Sequence, residues 1–296
     1  MGRALRVGSR WQCAFAVLCL AGCHLFNNLN PVAPSANERA DKAPVPPGKK
    51  SFRQSQFVFL YDFDLKRDQP LFEELATLRD QVYKELELPS SNTLVQVYIF
   101  EDRDHYERFM HSKYPDLPKR RAFFVAQPRT VGGAEDLLVY TYWGERVKED
   151  LRHECTHAIL HSVLKDVPLW LDEGLAEYFE VPREWLGVNY HHLEIIRRGP
   201  GGPFTPDLAR LEQLSQVQQM SPAEYREAWA WVHLMLRGSS EGRPVLLAYL
   251  QQLRANPNPG PLQPQLVAVV GSINRTLEKH IAQLDAAPRP VSTAQR

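Results

Sequence analysis

His153-Glu154-Cys155-Thr156-His157 is an H-E-x-x-H motif. It lies within Val147 to Val163, whose apolar residues recur at helical spacing. On a helix, two histidines four residues apart differ by about 40° around the axis and about 6 Å along it. Both rings can therefore reach one ion. Glu154 falls on the flank of that face, placed to hold and deprotonate a water at the open position of a metal rather than to bind the metal itself. Cys155 points away from the histidines and reads as a buried core residue.

A catalytic zinc takes three protein ligands and keeps one position open, and a glutamate ligand must come from a second helix. Pro168 to Phe179 supplies such a helix, with Glu173 and Glu177 one turn apart. H-E-x-x-H followed by W-L-x-E-G-x-A-E-Y, Trp170 to Tyr178, resembles the gluzincin zinc metallopeptidases, which include thermolysin-like and aminopeptidase N-like enzymes. The resemblance implies a zincin-like α+β fold, a bound Zn2+ and a peptide or protein substrate. It makes Glu173 the third ligand and has Glu177 orient a ligand histidine. Residues at i and i+4 share a helix face and only the better placed enters the ligand set, so Glu177 stays open as the alternative ligand. In related gluzincins a downstream tyrosine or histidine stabilises the developing oxyanion, which points to Tyr225 or His233. Both sit on a stripe with Ala228, Trp229, Val232 and Leu236 that otherwise reads as core. His191 and His192, being adjacent, cannot share a helix face and read as surface or packing residues.

The elements that must position these residues follow a leader. Residues 1–22 carry Arg3, Arg6 and Arg10, then an apolar run too short to span a bilayer, and read as a signal peptide. Leu20-Ala21-Gly22-Cys23 resembles a bacterial lipobox, which implies lipidation at Cys23 and anchoring to a membrane of the cell envelope, facing the periplasm or in the outer membrane. Cys13 and Cys19 would leave with the leader, so Cys155 would have no disulfide partner. Residues 23–50, rich in Pro and Ala, read as a disordered tether. The domain is expected over 51–285, with a small mixed sheet and helices in 51–145 and a mainly helical part carrying the zinc helices in 146–285. Residues 286–296 read as a disordered tail.

Within the domain, strands are expected at Gln56–Leu65 and Thr93–Phe100, separated by a helix that Asp68 caps and that ends before Pro89. Asp102 or Asp104 caps a short second helix. Arg121–Ala126 and Leu137–Tyr142 flank Gly132-Gly133 as a hairpin or two successive strands. In gluzincins an edge strand borders the cleft and pairs with extended substrates, a part open to Phe123–Ala126 or Leu138–Thr141. Later helices are expected over Trp185–Arg198, from a capping box at Ser221 and Glu224, and over Arg243–Arg254 and Leu262–Leu284.

The 35 basic residues balance the 35 acidic ones, and neither a phosphate loop nor a G-x-S-x-G elbow is present, so nucleic acid is not an expected partner. The expectation is a membrane-anchored, exported zinc metallopeptidase. The absence of a G-x-M-E-N amine-anchoring motif favours endopeptidase action. The rival is a catalytically silent zincin-fold envelope lipoprotein that acts as a binding or scaffold module. An intact Glu154 argues against it, because a purely structural zinc site closes its fourth position.

Overall fold

A computed structural model describes residues 44–67, 69–128, 135–199, 204–256 and 258–285. The leader, Cys23, Asp68, Gly132-Gly133 and the tail from residue 286 lie outside these residues. The fold is α+β, as the sequence implies, with a five-stranded mixed sheet on the N-terminal side and helices thereafter.

Two strands open the domain, β1 (Lys50–Gln54) and β2 (Phe57–Tyr61), paired antiparallel. The body begins slightly inside the expected tether: Pro47 is buried, and the Gly48 and Lys49 amides donate to Asp62 Oδ1 at 2.8 and 2.6 Å. Helix α1 (Pro70–Glu85) then crosses to β3 (Val95–Phe100), which pairs parallel with β2. Asp102 caps α2 (Arg103–Lys113) by accepting from the His105 amide. β4 (Ala122–Pro128) and β5 (Glu135–Tyr142) pair antiparallel, and the sheet order is β1-β2-β3-β5-β4. β5 is thus enclosed between β3 and β4, and among the described residues β4 is a free edge.

Alternation sorts the side chains to two faces. Val95, Val97, Ile99, Leu137 and Val139 join the main core with α1 and α3 (Val147–His161). Leu138, Tyr140 and Phe123 face the other way, onto Tyr106, Phe109 and Met110 of α2. α3 therefore lies across one sheet face beside β4 and β5, with Leu151, Cys155 and Ile159 fully buried. Against α3 packs α4 (Leu169–Phe179), which a 3-10 turn at Arg183–Trp185 links to α5 (Tyr190–Arg198).

The remainder is helical: α6 (Leu208–Leu211), α7 (Pro222–His233) with the expected Ser221–Glu224 capping box, a π-helical turn at Leu234–Gly238, α8 (Gly242–Ala255), α9 (Gln263–Val270) and α10 (Ile273–Asp285). The single helix expected over 262–284 is two. Gly271, at φ 75, turns the chain between them. Among the described residues no helix is long and apolar enough to cross a membrane.

Candidate metal centre

α3 and α4 bring the H-E-x-x-H histidines against Glu173. Glu173 Oε2 lies 3.4 Å from His153 Nε2 and 3.5 Å from His157 Nε2. The three residues each offer a ligand atom within 4.8 Å of the others. Tetrahedral zinc with bonds of about 2.0–2.1 Å sets its ligand atoms roughly 3.3–3.4 Å apart, close to these separations. Glu173 is 4 % exposed, and its Oε2, near both imidazoles, is hydrogen-bonded to neither. A buried carboxylate oxygen without a partner is costly, and a cation among the three atoms would satisfy it. The residues present fit a zinc ion.

The outer nitrogen of each histidine faces a carboxylate. His153 Nδ1–H donates to Glu180 Oε2 at 3.0 Å. His157 Nδ1 lies 3.0 Å from Asp172 Oδ2, which also takes the Nε2–H of His161 at 3.1 Å. The Glu180 bond leaves His153 Nε2 facing Glu173, and Asp172, within ion-pair range of His157 Nδ1, stands on the corresponding side of His157, the arrangement that in a metal site raises ligand basicity. Burial opposes charge on both rings, yet Glu173 and Glu180 raise His153 well above the ordinary imidazole value. Asp172 and Glu173 likewise raise His157, to about 10. Burial would lift Asp172 and Glu173 too, but the imidazoles beside them depress both. The donor set therefore stabilises positive charge at one point. The Phe124 ring of β4 stacks on His157 with centroids 6.1 Å apart and closes that side.

Glu154 is buried at the wall of a cavity of about 640 Å³ that also exposes His153. Burial raises its carboxyl, partly offset by His153 and His157. Tyr225, at the start of α7, donates from its hydroxyl to Glu173 Oε1 at 3.3 Å and accepts from Arg120 at 2.5 Å. Burial, then the charge of Glu173, push the phenol up to about 12, so it stays a proton donor at neutral pH.

Two sequence assignments change. His233 does not reach the centre: it is 1 % exposed and shares a 2.8 Å hydrogen bond with His280 in the core. Eight residues beyond Tyr225, it stands about 12 Å further along the helix. Asp172 and Glu180, rather than Glu177, make the short contacts to the Nδ1 atoms of His157 and His153. Glu177 lies within 4.8 Å of His153, but its Oε2 accepts from His192 Nε2 at 2.7 Å. His192, read from sequence as surface or packing, is buried and lines the cavity, because Asn189 caps α5 and turns it over the end of α4. Arg120 also escaped sequence reasoning, since only the tertiary fold carries it to Tyr225. Cys155 is buried and free, with its thiol pushed up by burial. Cys23 lies outside the described residues.

Residues 149–258 match a family described as a protein of unknown function (DUF1570). The matched segment carries His153, Glu154, His157, Glu173, Asp172, Glu180 and Tyr225, but neither the sheet nor Arg120. A comparison with curated proteins finds no match.

Proposed function

We propose that this chain is a zinc metallopeptidase of the gluzincin type, exported and held at a bacterial envelope membrane by lipid on Cys23. The carrying observation is the approach of Glu173 Oε2 to both histidine Nε2 atoms, at 3.4 and 3.5 Å, with the Glu154 carboxyl beside them on an open cavity. His153, His157 and Glu173 would hold the ion. When bound, zinc supplies Lewis acidity, polarising a carbonyl and making a water acidic near neutral pH.

The chain's own residues divide the remaining work. Glu154 takes the proton of the attacking water and returns it to the leaving amine, as a carboxyl of raised pKa is suited to do. Arg120 fixes the Tyr225 hydroxyl, which by its position next to Glu173 is within reach of a carbonyl oxygen as charge builds on it. β4 offers its unpaired edge beside α3, and an extended peptide added there would run past the centre. Of the two strands considered from sequence, β5 is enclosed on both sides, which leaves β4.

The test measures zinc per chain and hydrolysis of a peptide mixture, using the full chain in detergent. Wild type should carry about one zinc, and Glu154→Gln should keep it while losing about 100-fold or more in turnover. A folded wild type that takes no zinc at neutral pH, or a fully active Glu154→Gln, would sink the proposal.

A further inference from the structure

The cavity beside the centre is lined by Lys119, Arg120, Arg121, Arg146 and Arg226 from three separate segments. Its carboxylates are Glu149, Asp150, Glu154, Glu177 and Glu180, so a simple count of charge balances. Engagement breaks the balance. Asp150 is held by Arg121 through bonds of 2.7 to 3.0 Å. Glu177 is bonded to His192, and Glu180 to His153 and Asn189. Glu154 is buried at the reacting centre. Away from the reacting centre, that leaves Glu149 as the carboxylate on this wall with neither a hydrogen bond nor an ion pair among the described residues.

Among the cations, Arg121 is occupied by Asp150 and Arg120 by Tyr225. Among the described residues Lys119, Arg146 and Arg226 have no ion-pair or hydrogen-bond partner, and the first two are exposed at the mouth. Outside the reacting centre, three available cations thus face one available carboxylate. The excess is local, because the chain as a whole is neutral. Clefts lined by one sign of charge concentrate ligands of the other. Ile195, Met220 and Pro222 line the same cavity and give an apolar surface against which the methylenes of a side chain can lie.

We propose that this cavity is a side-chain subsite of the substrate and selects acidic residues, Asp or Glu, on one side of the scissile bond. The inference rests on the peptidase reading, because Glu154 and His153 form the inner end of the same cavity. Lys119, Arg146 and Arg226 are its specificity-determining residues.

The experiment uses the full chain loaded with zinc and three fluorescent peptide sets, capped at both ends and rich in Glu, Gln or Lys. Binding is read by anisotropy on Glu154→Gln at low and high salt, and cleavage sites on wild type are mapped by mass spectrometry. The Glu set should bind at least about tenfold more tightly than the Gln set, since three charge pairs each contribute severalfold. The margin should shrink at high salt. Lys119→Ala with Arg146→Ala and Arg226→Ala should erase the margin at unchanged zinc content, and Arg226→Glu should shift preference toward the Lys set. Equal binding of the Glu and Gln sets, no binding of either, or a preference that survives the triple variant overturns the inference. Acidic preference in binding without cleavage of any peptide would sink the peptidase reading alone. Cleavage indifferent to acidic residues would sink this inference alone.

Discussion

Asp172 and Glu180 stand at the Nδ1 atoms of His157 and His153 and leave both Nε2 atoms to face Glu173, and neither belongs to the H-E-x-x-H motif. Asp172 precedes Glu173 on α4, a step of about 100° that aims it at the outer edge of His157 rather than at the centre. Glu180 sits just past the end of α4, where the side chain can fold back to His153. Replacing either by its amide keeps the shape but weakens the pull on the ring proton. Asp172→Asn and Glu180→Gln should each lower zinc affinity about 10- to 100-fold, read by competition with a chromophoric chelator. Glu177→Gln, whose partner is His192, should change it far less. Equal losses in all three variants would refute this division. At this scale the sequence shows what a single helix dictates, His153, His157 and Glu154 by spacing, whereas Glu173 follows only from the resemblance, which leaves Glu177 as the alternative. It hides Arg120, His192 and the true partners of the histidine rings, because those contacts join segments whose approach is a tertiary fact.

Between elements, α4 and α7 meet closely at Gly174. A Cβ on Gly174 would stand 2.7 Å from the Ala228 carbonyl oxygen and 2.9 Å from Val232 Cγ2. Glycine here lets two helices meet backbone to backbone, which places Tyr225 of α7 against Glu173 of α4. Gly174→Ala must push the helices apart, since a helical carbonyl cannot step aside as a flexible side chain can. The expected cost is about 1–3 kcal/mol, measured as a lower urea midpoint, together with reduced peptide turnover as Tyr225 draws away from Glu173. An unchanged midpoint would show that the helices are not so tightly joined. The glycine is visible in the sequence, but the reason for it is not. Element boundaries follow the same logic. Long amphipathic helices and aromatic strands such as β2 are legible from their period. β1 is an edge strand whose Lys, Ser, Arg and Gln leave Phe52 alone to mark the inner face, and it carries too little apolar alternation to be read.

At the scale of the whole molecule, His233 and His280 tie the C-terminal helix α10 to the core. Their 2.8 Å contact joins one ring N–H to one ring lone pair, so it requires both imidazoles neutral or at most one charged. Burial lowers His233 to about 3, aided by His280 and Arg237, and burial lowers His280 to about 4. An unfolded imidazole titrates near 6.5. The native state therefore binds fewer protons than the unfolded chain below that pH, and stability must rise with pH across the window. The contribution is complete above about 6.5 and is lost as pH falls toward 4 and 3. The loss should be on the order of 2–3 kcal/mol per ring by pH 4.5. Asp172 and Glu173, depressed beside the imidazoles, also lose stabilisation in acid, so the quantity to compare is the slope of urea-unfolding free energy against pH in wild type and His280→Gln. Removing one ring should flatten the decline between pH 6.5 and 4.5 even if the variant is less stable throughout. Parallel slopes would mean that the imidazoles are not held neutral, and that α10 is attached to the core by its apolar face, Leu277 and Ile281, alone.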